Sequence, residues 1–288
     1  MINFYEPLAG LYYAWYRPAV PLVAIAHQYM FLHPWYPFPR RFCLQRQATT
    51  WFTRMTAAGA TRKLALSLYE APDRASERLC VVPPLLRDEL FTQPLDVCEP
   101  FFLIYLYDQG FAEALLRWHQ THPEVALHCF WDNPAAEERE AYDATLTFHR
   151  LHDERFLSMM ARCRGVISTA GFESMTEAMY LGKPLLLVPI RHHFEQLCNA
   201  LDGRNAGAGV VAHDFAIDRL VDYLPTHQPK TARFRAWVAR AEARFIGEIE
   251  QVGRHPRQAA GVAVPCGQVT SCRQSLALGS PRVRLGVP

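Results

Sequence analysis

From Phe101 onward the chain alternates short apolar runs with helical stretches. FFLIYLYD, VALHCFWD, LTF, VIST, PLLLVPI and GVV carry few polar positions, and FAEALLRWHQTHP, DERFLSMMARC, FESMTEAMYL and HFEQLCNALDG lie between them. Strands apolar on both faces and separated by helices predict a parallel sheet covered on each side, a doubly wound α/β domain over 83–228. Residues 1–82 repeat this style less completely. PLVAIAHQYMF and KLALSLY read as strands, and the aromatic-rich HPWYPFPRRF falls between helices. INFYEPLAGLYYAW reads as a strand end running into a helix with no earlier strand to pair with, which predicts a second α/β domain that is incomplete as the chain is written.

After Lys230, TARFRAWVARAEARFIGEIE sets Phe234, Trp237, Val238, Ala241, Phe245, Ile246 and Ile249 at a spacing of about 3.6 residues. One amphipathic helix over 229–250 is expected, docked on a large apolar surface. From Gln251 to Pro288 there are five arginines and no Asp, Glu or Lys, and Gly, Pro, Ala, Val and Ser dominate, so 251–288 reads as a disordered, frameshifted or non-native tail.

Composition narrows the function classes. With 30 basic against 28 acidic residues the net charge is +2, too small for a dedicated nucleic-acid binder. The eight cysteines show no Cys-x-x-Cys pair and no metal-ligand spacing, so they read as buried hydrophobes in a reducing, cytoplasmic compartment. No apolar run approaches the roughly 20 residues of a membrane span.

The densest chemistry lies in STAGFESMTEAMYLGKPLLLVPI, Ser168 to Ile190. Ser168-Thr169-Ala170-Gly171 falls between a strand and a helix, where helix N-terminal amides receive anions. Small side chains let a diphosphate approach, Gly171 suits a tight turn, and Ser168 or Thr169 can cap the helix or bind a phosphate oxygen. Glu173 and Glu177 are one turn apart, and the carboxylate of Glu177 is suited to a ribose diol. In HHFEQLCNAL, a buried stripe of Phe194, Leu197, Cys198 and Leu201 would leave Glu195, Gln196 and Asn199 together for sugar hydroxyls, with His192 and His193 beside the diphosphate. A well-capped turn and a wet helix face are the ordinary readings of the same residues. His27 follows an expected strand, His33 lies in the aromatic loop, and Glu6 and Asp132 end expected strands, all places that could face a cleft, although a packed or surface histidine and a turn-forming carboxylate are their ordinary readings.

The stretch GVISTAGFESMTEAMYLGKPLLLVPIRHHFEQLCNALDGRNAGAGVV resembles the donor-binding half of GT-B glycosyltransferases of the family 28 and family 1 type, which include the peptidoglycan GlcNAc transferase. The resemblance implies two Rossmann-like domains, the N-terminal one incomplete. It implies a nucleotide-diphosphate sugar, UDP-type, with Ser168, Thr169, Ala170, Gly171 and Phe172 at the diphosphate and Glu177 at the ribose. His192, Glu195, Gln196 and Asn199 would lie near a hexose, and the base would rest on the backbone around His149 and Leu151. The last helix would cross back onto the N-terminal domain. The implied chemistry is transfer to an acceptor hydroxyl with no cofactor and no metal, since no Asp-x-Asp motif occurs.

Two departures accompany it. The family's glycine-rich N-terminal loop is not in this chain, which reads as an N-terminal truncation lacking the usual acceptor-side base, and Tyr107-Asp108-Gln109-Gly110 stands where relatives have a glycine-rich turn. A sugar-nucleotide 2-epimerase and a catalytically silent sugar-nucleotide-binding remnant are the alternatives. Trp15, Trp35 and Tyr36 suit either core packing or a surface for a hydrophobic, glycan or lipid-linked acceptor, with peripheral membrane association.

Overall fold

Two separate sheets organise the computed structural model, which describes residues 1–106, 109–131 and 137–254. The first consists of parallel strands β1 (Ile2–Asn3), β2 (Val23–Ala26), β3 (Arg62–Leu66) and β4 (Leu79–Val82), side by side in chain order. β2 and β4 are buried at every position, as strands sandwiched between layers must be. One face, with Ala24, Ala26, Ala65, Leu79 and Val81, packs against Tyr13 of helix α1 (Pro7–Tyr16) and against Tyr29 and Met30 of the turn after β2. Helix α2 (Cys43–Thr56) lies against α1 so closely that a Cβ on Gly10 would stand 2.4 Å from the Met55 carbonyl oxygen.

The second sheet begins with β5 (Phe101–Leu106), helix α3 (Gln109–Thr121) and β6 (Ala126–Trp131). It continues with β7 (Arg139–Ala141), β8 (Leu146–Arg150), helix α4 (Asp153–Arg162), β9 (Gly165–Ser168), helix α5 (Phe172–Leu181) and β10 (Leu185–Leu187). Helix α6 (Phe194–Ala206), β11 (Gly209–Val211) and helix α7 (Asp218–Tyr223) complete it. The strand order is β11-β10-β9-β5-β6-β8-β7, parallel throughout except for the short edge strand β7. Alternation along β5 shows the double covering: Phe102, Ile104 and Leu106 join α3 and α7, whereas Phe101 and Leu103 join α4 and α5. The segment between β4 and β5, expected to open the second domain at residue 83, instead connects the sheets and carries a single 3₁₀ turn, Asp88–Thr92.

The Gly182-Lys183-Pro184 stretch has a local cause. Gly182 ends α5 at φ 74°, in the left-handed region that favours glycine. Lys183 reaches back to the Val97 carbonyl at 2.9 Å, and Pro184 leads into β10.

The single helix expected over 229–250 is two, α8 (Thr231–Val238) and α9 (Ala241–Arg254). The break divides the apolar face: Phe234 and Val238 enter the second-sheet core, Trp237 joins the first-sheet core, and Phe245 and Val252 cover the other face of the first sheet over Val23, Ile25, Leu64 and Val82. Ile246 and Ile249, which one straight face would have buried, are 49% and 36% exposed. Helix α9 also runs past the expected tail boundary, because Val252 has a core to enter; residues 255–288 lie outside the described residues. A chain ended after Gln251 should therefore be about 1–2 kcal/mol less stable than one ended after Arg254, through exposure of the Val252 pocket, read by urea denaturation; equal midpoints for the two would count against Val252 as an anchor.

Arg244 bridges Asp73 at 2.5 Å and Glu248 at 3.9 Å across this junction, and Arg62 adds a 2.9 Å contact to Glu248. These cations compensate the Asp73, Cys80 and Glu248 cluster, whose ligand atoms lie within 4.8 Å of one another. Among the described residues no helix is long and apolar enough to cross a membrane.

Candidate functional site

In the second sheet the chain first builds outward from β5 through β6 to β8, then returns to the centre and builds the other way from β9 to β11. Such a reversal opens a crevice at the carboxyl ends of the two central strands, here β5 and β9. Tyr107 and Asp108, directly after β5, lie outside the described residues, as does Asp132 after β6. The other lip is Ser168-Thr169-Ala170-Gly171, after β9.

This lip is built differently from the sequence expectation. Ala170, not Gly171, takes the left-handed conformation, at φ 62°, while Gly171 has an ordinary φ of −64°. Asn199 of α6 supports the turn by donating to the Ala170 carbonyl at 3.3 Å. Gly171 is the N-cap of α5 and supplies no side-chain hydrogen bond. A Cβ there would meet only the Ser174 hydroxyl, at 3.5 Å, so open space lies above the helix end. The Ser168 hydroxyl is buried, 2% exposed, and has no hydrogen-bond partner among the described residues. Thr169 is buried beside it. An uncapped helix N-terminus with open space above it, preceded three residues earlier by a buried hydroxyl without a partner among the described residues, has the chemistry to receive an anion.

Glu173 is exposed, but Glu177, one turn on, is 7% exposed and held by a cation that local sequence does not reveal. Arg87, from the segment linking the sheets, donates from Nε to Oε1 at 2.6 Å and from Nη2 to Oε2 at 2.9 Å. Burial pushes the Glu177 carboxyl above the usual range and Arg87 only partly offsets it. Both oxygens are thus engaged, each with one lone pair left for a diol.

The cluster on α6 is also rearranged. Asn199 is buried, and Gln196 accepts the Ile190 amide at 2.9 Å, tying down the loop before the helix. His193 caps α6 by accepting from the Gln196 amide at 3.3 Å, and His192 is exposed at φ 67°. Glu195 faces the first domain, where His27 Nε2 lies 3.1 Å and Gln28 Nε2 3.0 Å from the same oxygen. Burial pushes the Glu195 carboxyl up, but these partners outweigh it and leave the group below the usual range. The His27 ring stacks on Phe172 at 4.5 Å and 5°, over the first residue of α5. A histidine of the first domain therefore stands beside the start of α5.

The other sequence candidates have structural duties. His33 is buried with both nitrogens used, Nδ1 accepting the Trp35 amide at 3.1 Å and Nε2 donating to the Pro72 carbonyl at 3.0 Å. Glu6 caps α1 through the Leu8 amide at 3.1 Å. The His149 ring is buried, stacked on Phe130 at 4.7 Å and bonded to His128 at 3.0 Å. Its strand, β8, is paired on both sides, and the Leu151 amide bonds to the Trp131 carbonyl at 3.2 Å. Trp15 and Trp35 are exposed and Tyr36 is buried.

A family model described as glycosyl transferase family 1 matches residues 1–227. Similar solved structures include CalG4, the calicheamicin glycosyltransferase, with a TM-score of 0.55, 19% identity and coverage of 88% of this chain and 73% of that one. The glycotransferase of kitacinnamycin aligns with a TM-score of 0.52 at 14% identity, covering 86% of this chain and 73% of its own. At these identities the likeness is one of fold. No curated protein sequence matches the chain.

Proposed function

The chain belongs to glycosyl transferase family 1 and has the GT-B fold, so it transfers sugar, and from that premise we propose that the donor is a nucleotide-diphosphate hexose, UDP-linked, bound along α5 and α6. The observation that carries this reading is the open start of α5, which no side chain caps, together with the nearby Ser168 hydroxyl, which has no partner among the described residues. The diphosphate sits on the α5 amides and Ser168, the ribose hydroxyls share the Arg87-held carboxylate of Glu177, and the sugar approaches Glu195 and Gln196. An acceptor oxygen attacks the anomeric carbon as the bond to the diphosphate oxygen breaks. The helix amides stabilise the departing charge, and His27, of the three acceptor-side candidates the one at the cleft, takes the acceptor proton.

The Ser168→Ala variant tests this reading through two opposite effects. Removing an orphaned buried hydroxyl should raise the stability of the free protein by about 1 kcal/mol. Losing a hydrogen bond to a charged diphosphate should weaken UDP roughly tenfold or more. Calorimetric titration with UDP alongside thermal melting reads both. Unchanged UDP affinity in a well-folded variant would remove the diphosphate from this site.

A further inference from the structure

Between the two sheets, on the side of α8, lies a cavity of about 570 Å³ that the donor site does not use. Pockets of some 300–1,000 Å³ with apolar walls and few polar groups are the usual form of small-molecule sites. Here the apolar wall is Leu68, Met179, Phe234 and Trp237, with Trp35, 59% exposed, at the mouth. Trp237 gives its indole N–H to the Ser67 carbonyl at 3.0 Å and so presents only its ring.

One group in this lining is out of keeping with its surroundings. Asp202, on the inner face of α6, is 5% exposed. The Tyr69 hydroxyl donates to its Oδ1 at 3.0 Å, and Oδ2 takes no hydrogen bond from the described residues. Burial pushes the carboxyl up to about 7. A carboxyl this buried is costly unless its second oxygen also finds a donor, and Asp202 lines the cavity. Glu70, Asn205, Lys230, Arg233 and Arg240 also line the cavity but are exposed, so Asp202 is its buried charged group, set against apolar and aromatic walls. Asp202 follows Glu195 by seven residues on α6, roughly 10 Å at 1.5 Å per residue, which puts the cavity within one small molecule's length of the proposed sugar position.

We propose that this cavity binds a hydroxylated aromatic or alicyclic molecule, its ring system between Trp237, Phe234 and Trp35 and one hydroxyl donated to Asp202. Resting on the donor-site reading above, it is the seat of the acceptor, which then carries a second hydroxyl toward Glu195.

The test uses the full chain with 2-naphthol and 2-methoxynaphthalene, which have the same rings but differ in the ability to donate a hydrogen bond, measured by equilibrium dialysis. Wild type should prefer 2-naphthol about tenfold or more. The Tyr69→Phe/Asp202→Leu pair removes both polar partners together, leaving no orphan to unfold the protein, and should abolish the preference while retaining ring binding. Trp35→Ala, at an exposed site, should weaken both probes. No binding by wild type, or a preference that survives the double variant, overturns the assignment. UDP calorimetry on the same proteins separates this outcome from failure of the donor site, because the double variant should hold UDP as wild type does. 4,4′-Biphenol incubated with UDP-glucose distinguishes the ligand's source: a glycoside product marks the cavity as the acceptor's seat, and no product from bound biphenol withdraws the acceptor role.

Discussion

Arg87→Ala should cost about 2–4 kcal/mol of stability, because it leaves the buried Glu177 carboxyl without its partner. The lower part of that range allows for the guanidinium, whose side chain is 31% exposed and partly screened. Glu177 is already pushed up by burial and Arg87 opposes that shift, so without Arg87 the carboxyl takes up a proton more readily, which caps the loss. The Arg87→Ala/Glu177→Gln pair should recover most of the stability, since a neutral amide in that pocket carries no desolvated charge. UDP affinity should fall in both, as the ribose ligand loses either its orientation or its charge. Urea denaturation with UDP titration checks each step. A single variant as stable as wild type would show that the bidentate contact contributes nothing.

Arg87 also marks where the sequence stops being informative. The second sheet is legible because its central strands β5, β9 and β10 are buried on both faces, and a run with few polar positions needs no knowledge of its neighbours. The anion loop is legible for the same local reason: small residues between a strand and a helix leave the first helix amides open, whatever packs around them. Strand β4 passes unnoticed because LCVV is short and follows an arginine-rich turn. The break at 239–240 leaves no Pro or Gly as a sign, since it is imposed by the two surfaces that α8 and α9 must reach. Partners distant in the chain are invisible in principle. Glu177 is 90 residues from Arg87 and Glu195 is 168 from His27, so both carboxylates look like free helix charges until the fold brings their partners to them. The sugar-facing trio on α6 fails for a related reason: local periodicity describes a helix with one buried stripe, whereas α6 packs against both domains and buries Asn199 and Asp202 together with Cys198.

Acidification should expose the cost of the buried imidazole at His149. Burial, aided by His128 and by Arg155 and Arg139, pushes His149 down to about 4. Its unfolded value is about 6.5. The folded state therefore binds the proton less readily than the unfolded chain. Stability from this group is full above about 6.5 and is lost as pH falls toward 4. At pH 4.5 the loss amounts to about 2–3 kcal/mol. Asp202 acts in the opposite sense: its carboxyl is raised to about 7, so it favours the fold as pH falls below that value. The two contributions cancel in part, and the total stability curve of the wild type would conceal both. The informative quantity is the difference between wild type and His149→Phe, which keeps an aromatic ring against Phe130 and cannot be protonated. Between pH 7 and pH 4.5 the wild type should lose about 2–3 kcal/mol more than the variant by urea unfolding. Parallel pH profiles for the two proteins would mean that the His128–His149 contact is open to water and its protonation costs the fold nothing.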